Sequence, residues 1–288
     1  MTRNELTRAD ILRNLTATIQ SGSPIIAGGS SAGIIAKSAE RGGVDLIVAY
    51  STGRSRIRGL ATSQLDNDNL STLEMYEELA VSVERTPLIG GINATDPYWR
   101  SPRDLVDRFR DTGYNGLINF PTVSVHRGEP AWDGYLVRGR SVGVGAPLFG
   151  IDCELEMVSY ARATEFFTMA YVFTPEQAAQ FAEAGVDVVV PHVDWTVGGL
   201  VGSAGTGFTM EEACEMTQAM IDAAWAVNNE IICLSHGGPI SSPEDTERLY
   251  AATDAQGFVG ASSVERIPFE QSVIDTVTAF KSERLTSA

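Results

Sequence analysis

The sequence predicts an α/β protein built as a single (β/α)8 TIM barrel over residues 1–288, with 1–20 as an N-terminal helical extension and an extended loop region after strand four. Three observations carry that expectation. Eight short, continuous apolar runs recur along the chain, the pattern of parallel strands covered on both faces. Helical patterns separate them; several open on a hydroxyl N-cap followed by Pro and close on Gly just before the next strand. The length of 288 residues suits such a barrel, which usually takes about 250.

The first run, 24–30 (PIIAGGS), follows an amphipathic N-terminal segment and precedes a helical stretch at 31–41. Its loop, Gly28-Gly29-Ser30-Ser31-Ala32-Gly33, matches GxGxxG only loosely, so an open doubly wound sheet is the weaker alternative. Run 45–51 (DLIVAYS) leads into the Gly-, Ser- and polar-rich stretch 52–69, read as a long loop ahead of a helix at 70–84. Run 87–93 (PLIGGIN) is followed by a helix at 102–111, opened by Ser101-Pro102 and closed at Gly113. After run 116–121 (GLINFP) the stretch 122–165 is irregular: it holds His126, Gly139, Gly143, Gly145 and Gly150, then a helix over about 153–162. Run 166–173 (FFTMAYVF) gives way at Thr174-Pro175 to a helix at 175–184, and run 187–193 (DVVVPHV) to a polar loop at 194–208 and a helix at 210–227. The last two runs, 230–236 (EIICLSH) and 257–263 (GFVGASS), each precede a helix, at 243–252 and 268–280.

Composition narrows the function. With 43% hydrophobic residues the chain has ample side chain to bury. The net charge of −16, from 37 acidic against 21 basic residues, and the lack of a Lys/Arg run speak against nucleic acid or an anionic membrane as partner. No run of 18 apolar residues occurs and 1–20 has no leader-like apolar core, so a soluble cytoplasmic protein is expected. Lys37 and Lys281 are the only lysines, one in a helical run and one near the C-terminus, which disfavours Schiff-base chemistry. Cys153, Cys214 and Cys233 are too widely spaced for a disulfide framework or a zinc knuckle.

Barrels place their chemistry at the C-terminal ends of the strands and in the loops beyond. The polar residues there are Ser30 and Ser31; Tyr50, Ser51, Arg54 and Arg56; Asn93 and Asp96; Asn119 and Thr122; His192, Asp194 and Thr196; and His236, Ser262, Ser263, Glu265 and Arg266. His192 and His236 end neighbouring strands, where an imidazole could act as acid or base, ligate a metal with Glu154 or Asp194, or simply fill the rim. In HGGP (236–239) two glycines let backbone amides approach an anion, so Gly237 and Gly238 are candidate oxyanion donors together with Ser262 or Ser263. Arg54 and Arg56 lie in a stretch long enough to fold over the site, and a guanidinium holds a carboxylate or phosphate with two donors. Glu154 and Glu156 stand two apart on a helix, so at most one points inward. Glu265 and Arg266 read equally well as an ion pair fixing the rim, and His126 as a surface residue.

Seven strings resemble one known family: 42–59 (GGVDLIVAYSTGRSRIRG), GGINATDPY (90–98), NFPTV (119–123), ELEM (154–157), AGVDVVVPH (184–192), HGGPISSPED (236–245) and GASSVERIP (260–268). Together they resemble the phosphoenolpyruvate hydrolase-like family, also called TIM-barrel signal transduction proteins, over roughly 10–281. The resemblance implies a TIM barrel related to those that handle phosphoenolpyruvate and pyruvate, and a homo-oligomer. Carried over onto this sequence, it marks Arg54, Asn93, Asp96, Asn119, Glu154, His192, His236, Ser262, Ser263 and Glu265. The expected activity is C–C bond cleavage or hydrolysis of a small anionic oxo-acid, enol ester or β-dicarbonyl compound through an enolate-like state. In that scheme His236 or His192 moves the proton, Glu154 orients a histidine or water, and Arg54 holds a carboxylate. A divalent metal such as Mg2+ is compatible with the resemblance, although no ligand cluster in the sequence demands one. Asp194 and Trp195, in PHVDWTVGG (191–199), depart from the small and apolar residues expected after strand six. The rival reading is a non-catalytic ligand-sensing or protein-interaction barrel, since the resemblance extends to a domain of a tomato virus-resistance protein.

Overall fold

A computed structural model describes residues 2–63, 65–126, 150–202 and 207–285. Eight parallel strands form one sheet: β1 Ile25–Gly29, β2 Leu46–Ala49, β3 Leu88–Gly91, β4 Gly116–Ile118, β5 Phe167–Val172, β6 Val188–Pro191, β7 Ile232–Cys233 and β8 Gly257–Gly260. They pair in the order β7-β6-β5-β4-β3-β2-β1-β8. Backbone bonds from Gln256 to Cys233 (2.7 Å), Ser235 to Gly257 (3.1 Å) and Val259 to Ser235 (2.8 Å) join β7 to β8 and close the barrel.

The three helices that the sequence opens with a hydroxyl-Pro pair lie where that signal puts them. Helix α1 is Arg8–Gln20, and the helices flanking the sheet are α2 Gly33–Arg41, α4 Asp68–Ser82, α5 Pro102–Thr112, α6 Ile151–Ala163, α7 Pro175–Glu183, α8 Met210–Val227 and α9 Pro243–Ala252. Ser101, Thr174 and Ser242 each cap their helix by accepting the N3 amide, and Pro occupies the first turn behind each. Two short helices depart from the sequence expectation. α3, Ser51–Ile57, occupies the stretch read as loop, and α10, Ser262–Glu265, replaces the end of the last run. α3 buries Ser, Thr and Gly with no apolar stripe, so it carries no 3.6-residue periodicity to read. The ladder of β7 covers two residues, shorter than its apolar run, although an isolated parallel bridge pairs His192 with His236 beyond it. The extended loop expected after strand four falls mostly on 127–149, outside the described residues; its described start is a 3-10 turn, Val123–His126.

Strand side chains alternate, and the two faces build two cores. Ile47, Ala49, Leu117, Ala170, Val189 and Cys233 face the helices. Leu46, Val48, Ile118, Met169, Val188, Val190, Leu234 and Val259 fill the barrel interior. α1 plugs the lower end with Ile11 and Leu15, and Arg8 fixes it there by a 2.6 Å ion pair to Asp187 at the foot of β6. The final helix, α11 (Ile267–Ser282), buries no residue and exposes Phe269, Val273, Ile274, Val277 and Phe280. Among the described residues no helix is long and apolar enough to cross a membrane.

Leu15 is 2% exposed inside the plug, so Leu15→Ala is expected to cost about 2–5 kcal/mol of unfolding free energy. Thr16→Ala on the exposed face of the same helix should stay within about 0.5 kcal/mol; urea unfolding of the two variants checks the contrast.

Candidate functional site

The period-2 alternation of the interior carries one step beyond the strands and sets the floor of the site. Two residues after Val48, Ile118, Met169, Val190 and Leu234 come Tyr50, Phe120, Tyr171, His192 and His236, and all five are buried. They form a ring of aromatic side chains across the top of the barrel. Tyr50 and Tyr171 both pack edge-on to Phe120, at 5.4 and 5.5 Å between ring centroids. His236 lies 5.0 Å from Tyr171 and 4.5 Å from His192. Glycines make the room: a Cβ at Gly29 or Gly91 would collide with Tyr50.

A cavity of about 40 Å³ opens above this floor, lined by Tyr50, Arg56, Thr62, Phe120, Tyr171, Trp195, Thr196, Gly202, His236, Ala261 and Ser262. The innermost part holds two or three waters, since one water needs at least 10–15 Å³, roughly, on this measure, and the whole depression, open to solvent, is about 450 Å³. Its charge comes from a buried network. Arg56, 6% exposed, donates from Nη2 to the Tyr50 hydroxyl (2.6 Å) and to Glu265 Oε2 (3.3 Å). Tyr50 in turn donates to Glu265 Oε2 at 3.3 Å. The other Glu265 oxygen accepts the Ser31 amide at 2.6 Å and the Ser31 hydroxyl. Burial raises the Tyr50 and Tyr171 phenols well above the ordinary 10, so both stay protonated as donors.

His236 Nδ1 sits 2.6 Å from the Val259 carbonyl oxygen. A carbonyl only accepts, so Nδ1 carries the proton and Nε2 keeps its lone pair. Burial, opposed by the Val259 bond and reinforced by the Arg56 charge, holds this imidazole at about 4, below the ordinary 6.5. The ring is therefore neutral near pH 7, with an unprotonated nitrogen beside the cavity.

Several expected residues sit elsewhere. His192 adjoins His236 but lies to the side of the site, 1% exposed, stacked on Phe173 at 4.6 Å with Trp195 at 5.8 Å, and it is not among the cavity-lining residues. Gly237 and Gly238 do not line it either; the Gly238 amide donates to the Asp194 carbonyl at 2.8 Å, and the turn allows the close approach of that backbone. Arg54 points outward to Ser71 and Glu74, both at 3.0 Å, because residues two apart on α3 face opposite ways; Arg56 takes the inward position. Glu154 reaches no histidine. Its carboxylate, 1% exposed, accepts from Asn119 Nδ2 (2.7 Å), the Thr122 hydroxyl (2.8 Å), the Val123 amide (2.8 Å) and the Ser124 hydroxyl (2.8 Å). Burial pushes that carboxyl up while the four donors pull it down. Asn119 stitches β4 to β5 by accepting the Tyr171 amide at 2.7 Å. Asn93 donates to Asp68 at 3.2 Å, and Asp96 accepts from Asn67 and Asn69 at 2.7 and 2.9 Å, a rim network beside the cavity floor. Ser262 lines the cavity, whereas the Ser263 hydroxyl is buried with no hydrogen-bond partner among the described residues. Glu265 pairs with Arg56 rather than with Arg266, which turns to Glu270 at 3.1 Å.

Among the described residues no group of three or more His, Cys, Asp or Glu is placed to hold a metal ion. Glu265, the carboxylate bonded to two of the lining residues, already accepts from Ser31, Tyr50 and Arg56.

Residues 10–282 match a family model described as phosphoenolpyruvate hydrolase-like. The ToMV susceptible protein tm-1(GCR26) of tomato, Solanum lycopersicum, is 38% identical over 280 residues, covering 96% of this chain and 36% of the tomato protein. The chain thus spans little more than a third of the length of that relative. Two solved structures share the fold at low identity. One is phosphonopyruvate hydrolase in complex with oxalate and Mg2+, with TM-score 0.60 and 16% identity over 96% of this chain and 87% of that one. The other is oxaloacetate acetylhydrolase in complex with its product oxalate, with TM-score 0.54 and 14% identity over 96% and 89%.

Folding lowers the proton affinity of His236, so the unfolded chain binds more protons there between about pH 4 and 6.5. The stability tied to the neutral ring is full above pH 6.5 and is lost as the pH falls through about 4. Between pH 7 and 5 the wild type should lose about 2 kcal/mol more unfolding free energy than His236→Asn, whose side-chain amide keeps a donor for Val259. Urea unfolding at both pH values checks this, and equal losses would refute it.

Proposed function

The chain belongs to the phosphoenolpyruvate hydrolase-like family, and on that premise we propose that it is an enzyme acting on a small oxo-acid or β-dicarbonyl anion. Its reaction is C–C bond cleavage or hydrolysis through an enolate-like state. One observation carries the reading: a buried guanidinium, two protonated phenols and a neutral imidazole converge on one cavity. The phosphonopyruvate and oxaloacetate hydrolases that share the fold support the substrate class by analogy only.

Arg56 and Tyr50 hold the oxygen on which negative charge develops, where a buried cation is worth far more than in water. Tyr171 and Ser262 add hydroxyl donors on the same cavity. Nε2 of His236 takes the proton of the attacking water as its oxygen bonds to the oxo carbon. The electron pair of the breaking C–C bond then collects as an enolate and is quenched by a proton returned from His236. Glu265 and Ser31 do not touch the substrate; they fix the direction of the Arg56 fork. The phosphonopyruvate hydrolase neighbour was crystallised with Mg2+, but the described donor set of this chain does not fit such an ion. Arg56 supplies the positive charge at the site.

Self-association, implied by the family resemblance, belongs to the same proposal. The exposed apolar face of α11 supports it, and sedimentation velocity of the purified chain should show a species larger than the monomer.

Oxaloacetate, phosphonopyruvate and phosphoenolpyruvate form the first substrate panel, with consumption followed by NMR. Arg56→Gln and His236→Asn should each lower kcat/KM by about 100-fold or more, while Arg54→Gln stays within about 3-fold, since its side chain points away. Ligand-induced thermal stabilisation without turnover of any panel member would favour the sensing alternative.

A further inference from the structure

Arg266 follows Glu265 directly, yet its guanidinium turns away from the Arg56 network and is 2% exposed. A charge that deep persists only with well-placed partners. Nη1 donates to both oxygens of Glu270, at 3.1 and 3.3 Å, and Nη2 donates to the Gly198 carbonyl at 2.8 Å. Glu270 Oε2 also accepts the Leu200 amide at 2.8 Å. One ion pair at the start of α11 therefore grips the backbone of the loop after β6 at two points.

The loop is shaped for that grip. Gly198 and Gly199 have φ of +88° and +72°, in the region that favours glycine. A Cβ at Gly199 would run into Arg266 Nη1 and Glu270 Oε2, and one at Gly202 into Arg266 Nη2 and the Gly198 carbonyl. The same segment lines the cavity through Trp195, Thr196 and Gly202. Gly202 thus touches the guanidinium on one side and the cavity on the other.

We propose that Arg266 and Glu270 are positioning residues: their ion pair clasps segment 195–202 and thereby holds Trp195 and Thr196 over the cavity. The proposal rests on the reading of that cavity as the substrate site. A planar guanidinium suits the task, because its fork fixes two acceptors at once where an ammonium would hold one point.

The test uses the full chain and the variants Arg266→Gln, Glu270→Gln and Gly199→Ala, each first checked for native circular dichroism and melting. Hydrogen exchange of the 195–202 backbone, followed by mass spectrometry, should quicken by about 10-fold or more in Arg266→Gln and Gly199→Ala, with the barrel strands unchanged. Arg266→Lys should fall between Arg266→Gln and wild type. Acrylamide quenching of Trp195, taken as the difference from Trp195→Phe, should rise in the same order. Oxalate is the ligand probe: its affinity should drop by about 5-fold or more in Arg266→Gln. Unchanged exchange and quenching in the folded variants would overturn the clasp. If Arg266→Gln fails to fold, Gly199→Ala and Glu270→Gln decide: both keep the arginine, the first pushing its guanidinium off the loop and the second weakening its ion pair. Faster exchange in a chain that binds no oxalate and turns over no panel substrate would uphold the clasp and sink the substrate reading; unchanged exchange in a chain that does bind would do the reverse.

Discussion

Glu265 has no exposed surface, and a carboxylate can stay there only while Ser31, Tyr50 and Arg56 converge on it. Those partners come from the loop after β1, the end of β2 and α3, while Glu265 itself follows β8. The ion pair therefore ties three neighbouring βα units at the upper rim. Removing Arg56 would strand a buried charge, a loss of order 3–5 kcal/mol. The same tie aims Arg56 at the cavity and keeps Tyr50 in the aromatic floor, so stability of the rim and polarity of the site share one cause.

Opposed pairs of neighbours organise the rest. On α3, Arg56 turns inward and Arg54 outward to Ser71 and Glu74. After β8, Glu265 turns toward Arg56 and Arg266 toward the loop after β6. At the ends of β6 and β7, His236 lines the cavity and His192 packs beside it among Phe173, Tyr171 and Trp195. In each pair one residue meets the cavity or its charge network, while its neighbour fastens the surrounding scaffold. Glu154 and Asn119 belong to the fastening set, joining the start of the loop after β4 to β5 and α6.

Membership of the phosphoenolpyruvate hydrolase-like family covers nearly the whole barrel. The likeness to phosphonopyruvate and oxaloacetate hydrolases, at 16% and 14% identity, extends to the fold. The cavity of this chain holds an arginine paired to a buried glutamate, with a neutral histidine beside it.

The sequence by itself determined the barrel. Eight apolar runs, hydroxyl-Pro starts and glycine stops are local signals, set by strand burial and by helix-end hydrogen bonding, and each run contains its strand. It also placed His192, His236, Ser262 and Glu265 at strand ends, because position along a strand is a local property. Tyr171 and Phe120 were legible in principle, since the period-2 step from Met169 and Ile118 puts them on the interior face, but inside continuous apolar runs they read as core. Only the tertiary structure decided which of Arg54 and Arg56 enters the cavity, whether Glu265 pairs with Arg56 or Arg266, and that the Gly238 amide meets Asp194 rather than an anion. Those choices rest on contacts between segments far apart in the chain, and a side chain's direction at such a junction depends on what the other segment offers in charge, donors and space.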